Sequence, residues 1–245
     1  MVGIKFHNSL LLIHCVCLAL LSCSKSVYTV DDQNFIDFSG YAWEIKEHLI
    51  EPAGPRDNYW ASKNVCVNRK GDIELTISNE YDRWYASEVR LPKALGYGTY
   101  TFKVSTPLND LDENAVLGLF LYANDNQEID IEIQNHIDTN NQNNAAYTIQ
   151  AIEANSAVSQ ALFDINDSVP ITFSIQWIPD AVHFNARYQN GENISSYREL
   201  NKAKVPTDKL HVHMNYFLFE PDKGLTPCKV HSIKISDFSF TQYLN

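Results

Sequence analysis

From Trp60 onward, apolar and polar residues alternate with a period of two, and few stretches hold a helical period. Asp72-Ile73-Glu74-Leu75-Thr76-Ile77 alternates strictly, as a half-buried strand does, and residues 100–104 repeat the pattern after the turn-rich Gly96-Tyr97-Gly98. Further strands are predicted over residues 86–91, 116–122, 128–134, 146–152 and 171–177, and then over 181–188, 209–219 and 230–240. Turn residues fall between them, at Asn68-Arg69-Lys70-Gly71, Asn124-Asp125-Asn126, Pro179-Asp180 and Asn190-Gly191. A helix is predicted only for short pieces such as 155–162. Ten or more short strands joined by polar turns imply an all-β domain, a sandwich of two antiparallel sheets.

The N-terminal segment follows a different pattern. Lys5 precedes an apolar run over residues 10–21, the length of a signal-peptide core and too short for a membrane-spanning helix. Leu20-Leu21-Ser22-Cys23 resembles a bacterial lipobox, which implies cleavage after residue 22 and a lipid on Cys23. The expected organisation is a signal peptide over 1–22, a polar tether over 23–33 and one β-sandwich domain over 34–245. That places the protein outside the cytoplasm, held at the cell envelope or surface through its N-terminal lipid. Beyond the export segment stand only Cys66 and Cys228, which either form one bridge or are buried small side chains, and are too few for a cysteine-based metal site. Acidic residues outnumber basic ones by 30 to 19, for a net charge of −11, and such a field repels a nucleic-acid backbone.

Candidate chemistry concentrates in Glu128-Ile129-Asp130-Ile131-Glu132-Ile133. In a strand the three acids share one face and the three isoleucines the other. The isoleucines belong in a core, so the carboxylates must be wet or line a cleft. Glu128 and Glu132 stand roughly 13 Å apart at Cα, and their side chains can lean together on a twisted sheet toward the roughly 5–5.5 Å of a retaining glycosidase. Spacing alone leaves three readings open: a catalytic set, a solvated strand face, or a calcium-binding cluster.

Glu128-Ile129-Asp130-Ile131-Glu132 resembles the E-x-D-x-E signature of glycoside hydrolase family 16, the lichenase and laminarinase group of endo-glycanases. The similarity continues in Glu88-Val89-Arg90, Tyr97-Gly98-Thr99-Tyr100, Gly118-Leu119-Phe120-Leu121-Tyr122, Phe173-Ser174-Ile175-Gln176-Trp177-Ile178-Pro179-Asp180 and His213-Met214-Asn215-Tyr216-Phe217, all in order. It implies a concanavalin A-like jelly-roll with a glycan cleft across its concave sheet. It also implies that Glu128 is the nucleophile, Asp130 its assistant and Glu132 the general acid/base. Glu88, Arg90 and Asn215 would bind sugar hydroxyls of a polysaccharide or oligosaccharide substrate. No cofactor is required; a structural calcium is compatible with the family, with no ligands assignable from the sequence. Where family members carry tryptophans, this chain has Asn126-Gln127 and Phe217, which points to an unusual or decorated glycan.

Trp84 is the favoured aromatic platform for stacking on a sugar, ahead of Tyr59-Trp60, whereas Trp43 and Trp177 read as core. His211 and His213 share one strand face but have no third convergent ligand, so no metal site is expected. The leading reading is a retaining endo-glycoside hydrolase. The alternative is a non-catalytic glycan-binding lipoprotein of the same fold.

Overall fold

Ile129, Ile131 and Ile133 are fully buried, and their apolar face seats the strand Gln127–Ile133 in the interior of a sheet. Each such side chain contributes about 1.5–3 kcal/mol on burial. That burial holds the acidic side chains of the same strand on the opposite face. The computed structural model describes residues 23–25, 27–109, 111–135, 143–150, 158–166, 169–207, 209–226 and 231–244.

Two sheets make a jelly-roll sandwich. The first has the strand order Cys23–Lys25, Val65–Asn68, Ile73–Thr76, Ser232–Gln242, Gly98–Val104, Ile171–Ile178, Ala181–Tyr188 and Asn193–Glu199. The second runs Ser159–Phe163, Ala145–Ile149, Gln127–Ile133, Ala115–Asn124, His211–Leu218, Arg83–Arg90, Tyr41–Ile45, Gln33–Phe38 and Tyr28–Val30. His48–Ala53, Asn58–Trp60 and Ser78–Glu80 join it beside Arg83–Arg90. Among the described residues the pairing is antiparallel throughout, save for Asn58–Trp60, which lies parallel to Arg83–Arg90. Between the sheets, Leu119, Ile131, Met214 and Tyr216 meet Phe102, Phe173, Ile175 and Phe238 in one apolar core. Trp43 and Trp177 are buried there as expected, each satisfying its indole N–H on a backbone carbonyl, Phe38 and Pro206 respectively.

Three expectations are corrected. Residues 23–33, read as a tether, instead include the strands Cys23–Lys25 and Tyr28–Val30 and the start of Gln33–Phe38. Tyr28–Val30 is exposed and pairs with the adjacent Gln33–Phe38, whereas Cys23–Lys25 pairs far along the chain, Cys23 opposite Asn68. The helical reading of 155–162 fails where it is described. Ser159–Phe163 is an edge strand along Ala145–Ile149, and the Ser159 hydroxyl donates to Glu199 at the sandwich edge (2.5 Å). Asn193–Glu199, a strand the pattern did not show, alternates too weakly because it is the solvent-facing edge of the first sheet. The apolar export segment lies outside the described residues, as does Cys228, so its pairing with the buried Cys66 does too.

Candidate active site

Strand register lays the polar side chains of the second sheet out in rows. Glu128 stands opposite Tyr122, which stands opposite His211. One row along, Asp130 faces Phe120, then His213, Arg90 and Glu44. In the next, Glu132 faces Gly118, then Asn215 and Glu88. These residues line a cleft of about 910 Å³, walled on one side by Lys46, Ala53, Gly54 and Pro55. The structure thus brings together Glu128, Asp130, Glu132, Glu88, Arg90 and Asn215, six of the side chains that the sequence singled out.

Burial is the largest influence on the three acids, and it favours their protonated forms. The Glu128 carboxyl is pushed up to about 7, chiefly by burial and by its acidic neighbours, while a hydrogen bond from Asp130 pulls it back. Asp130 is fully enclosed and holds its proton far above the ordinary range, because burial and the charges of Glu128 and Glu132 all oppose ionisation. Asp130 is therefore the donor and Glu128 the acceptor of their shared hydrogen bond. Gln150 Nε2 lies 3.4 Å from Asp130 Oδ2. Burial also raises Glu132, with the Arg56 guanidinium acting against it. The pair Glu128–Asp130 titrates as a unit.

On the other side of the cleft the charges are matched. Arg90 pairs with Glu44 at 2.9 Å. The buried Glu88 accepts from Lys46 Nζ at 3.1 Å and from His213 Nδ1 at 2.9 Å. Burial opposes the charge on Glu88, but these two partners outweigh it and hold the carboxyl below its usual range. Lys46 also donates to the Gly54 carbonyl (2.6 Å) and sits 4.0 Å over the Trp60 ring, so it straps the wall to the sheet. Asn215 is 2% exposed, and among the described residues its Oδ1 has no hydrogen-bond partner.

Trp84 is not in the cleft, which corrects the expected stacking platform. Its strand pairs with His211–Leu218 over residues 87–90 but turns to Ser78–Glu80 over residues 83–85, and this change of partner carries Trp84 away from the acids. Its ring instead packs against the core, edge-on to His231 and beside Gly224. Trp60 is fully buried and Tyr59 lies against Arg83. The aromatic rings that do line the cleft are Phe120, Tyr122 and Phe217. Phe120 and Tyr122 were legible as the outward partners of Leu119 and Leu121. Lys46 and His213 gave no comparable signal, since neither adds to an apolar pattern. His211 Nδ1 is taken by the Leu91 carbonyl at 2.9 Å. Among the described residues no three His, Cys, Asp or Glu side chains are placed to hold a metal ion, so no calcium ligands are assigned.

Solved structures of glucanases, family 16 among them, superpose on this two-sheet sandwich. A Bacillus licheniformis β-glucanase matches with a TM-score of 0.62 and 15% identity, over 82% of this chain and 92% of its own. A family 16 endo-glucanase from Bacteroides ovatus matches with 0.61 and 16%, over 81% and 94%. A protein described as an immunostimulatory antigen and pseudo β-1,3-glucanase of Mycobacterium tuberculosis matches with 0.60 and 16%, over 82% and 91%. At these identities the likeness is one of fold. No sequence-family model matches the chain, and no curated protein matches it.

Proposed function

We propose that the protein is a retaining, endo-acting glycoside hydrolase of β-linked polysaccharide. The observation that carries this reading is the placement of Glu128, Asp130 and Glu132 side by side on one strand that lines the cleft. Asp130 donates a hydrogen bond to Glu128, and burial raises Glu132 above its usual range, which suits a group that gives and takes a proton. Glu128 would attack the anomeric carbon as Glu132 passes its proton to the leaving glycosidic oxygen. Glu132 would then take a proton from the water that releases the sugar from Glu128. The Bacteroides ovatus endo-glucanase, a neighbour in fold, was solved with an oligosaccharide-type ligand, which supports a glycan as the occupant of the cleft.

A second reading, a glycan-binding protein without turnover, draws on the neighbour described as a pseudo-glucanase. Product release from mixed-linkage glucan, laminarin, agar-type galactan and mucin-type glycans, followed by mass spectrometry beside Glu128→Gln, separates the two. Oligosaccharides from the wild type alone support the hydrolase. Retention of a glycan on an affinity gel with no products from either protein supports the binder.

The lipobox-like Leu20-Leu21-Ser22-Cys23 supports export and a membrane anchor through a lipid on Cys23. Cys23–Lys25 pairs at the edge of the first sheet, so an anchor there leaves the cleft of the second sheet open. Loss of detergent-phase partitioning in Cys23→Ala is the expected result; unchanged partitioning removes the anchor.

A further inference from the structure

Both oxygens of Glu88 are already engaged inside the protein. Its Oε1 accepts from His213 Nδ1 and its Oε2 from Lys46 Nζ, and the side chain is buried. An ionised carboxylate only accepts hydrogen bonds, so His213 Nδ1 must carry the hydrogen. In its neutral form the imidazole has one N–H, and Nε2 is then the acceptor on the far side of the ring. Phe120 stacks on that ring at 4.8 Å and 23°, and Tyr122 meets it edge-on at 5.9 Å and 79°, which fixes its orientation. His213 lines the cleft in the row of Asp130, and among the described residues Nε2 has no hydrogen-bond partner.

We infer that Glu88 is a positioning residue, and that His213 Nε2 contacts the glycan by accepting a hydrogen bond from an unsubstituted sugar hydroxyl. This rests on the glycan reading of the cleft and moves the sugar contact from Glu88 to His213. It also narrows the substrate class. A sulfate ester or a carboxylate at that sugar position offers only acceptors, and would meet the Nε2 lone pair. Among the described residues that line the cleft, the permanent cations are Lys46 and Arg90, matched by Glu88 and Glu44; the Arg56 guanidinium acts on Glu132 in the next row. The glycan is therefore neutral where it crosses the Asp130–Phe120–His213 row.

The test uses the full chain carrying Glu128→Gln, so that glycans bind without turnover, at pH 8. Nitrogen-15 NMR of labelled histidines is expected to show His213 as the Nδ1–H tautomer. Calorimetry with laminarin, mixed-linkage glucan and sulfated galactan oligosaccharides is expected to show binding to a neutral glycan in preference to the sulfated one. His213→Ala should weaken that binding about tenfold, and His213→Gln, which restores an acceptor, should recover part of it. Glu88→Gln should weaken it comparably, and the Glu88→Gln, His213→Ala double variant little more than His213→Ala alone. An Nε2–H tautomer, unchanged affinity in His213→Ala, additive losses, or preference for the sulfated galactan overturns the inference while leaving the glycan reading intact. Failure to bind any of the three overturns both.

Discussion

Gly118 and Asn215 stand opposite each other on neighbouring strands, and a Cβ on Gly118 would collide with the Asn215 side-chain oxygen. Gly118 has no left-handed backbone conformation to explain its identity, so it serves for space. Gly118→Ala should gain a little chain stiffness but force the buried Asn215 to move, for a net loss of about 1–2 kcal/mol. Urea denaturation reads the stability, and glycan turnover should fall by at least tenfold. A variant as stable and as active as wild type would show the notch to be unimportant.

Glu128→Gln and Glu132→Gln should each lower turnover by several orders of magnitude and leave the fold intact, because the isoleucine face of their strand is untouched. For Glu128→Ala, added azide should yield a glycosyl azide of inverted configuration. If the azide product forms with Glu132→Ala as well as or better than with Glu128→Ala, the two roles are exchanged.

Asp130→Asn retains an N–H to donate to Glu128, whereas Asp130→Ala does not. The asparagine variant is expected to keep roughly tenfold more activity than the alanine variant. Equal losses would mean that Asp130 acts through its charge and not through its hydrogen bond.

Stability should fall as the triad ionises. Glu128 titrates near 4.5 in an unexceptional setting and at about 7 in the fold, so between those values the folded chain holds a proton that the unfolded chain has released. The contribution is fully present below pH 4.5 and is lost as pH rises through 7, amounting to about 3 kcal/mol. Glu128→Gln should make that slope shallower, with Asp130 and Glu132, which burial also raises, supplying the rest. Melting temperatures from pH 4.5 to 8 would check it, and parallel curves for the two proteins would contradict it.

The acidic strand was legible because two periodicities coincided there: a core face of isoleucines and a polar face of acids in one short run. Most strands after Trp60 were readable for the same reason, with both sheets contributing an inward apolar face. Edge strands were not, since Tyr28–Val30 and Asn193–Glu199 bury little and pair on one side only, each with the neighbouring strand in the chain, so no strong apolar alternation marks them. Trp84 shows a further limit. Its sequence distance from Glu88 and Arg90 is short, but the strand changes neighbours between them. The wiring of Glu88 was equally hidden, because Lys46 carried no signal and His213, though part of a recognised segment, carried none that paired it with Glu88.

Lys46 has a consequence for how cleft occupancy could be watched. Its ammonium lies over the Trp60 indole, while the same nitrogen touches Glu88, the residue that fixes His213. Any shift of that charge on ligand entry alters the electric field across a buried fluorophore, so Trp60 is an optical reporter built into the cleft. Lys46→Met would silence it, giving a label-free titration with its own internal control.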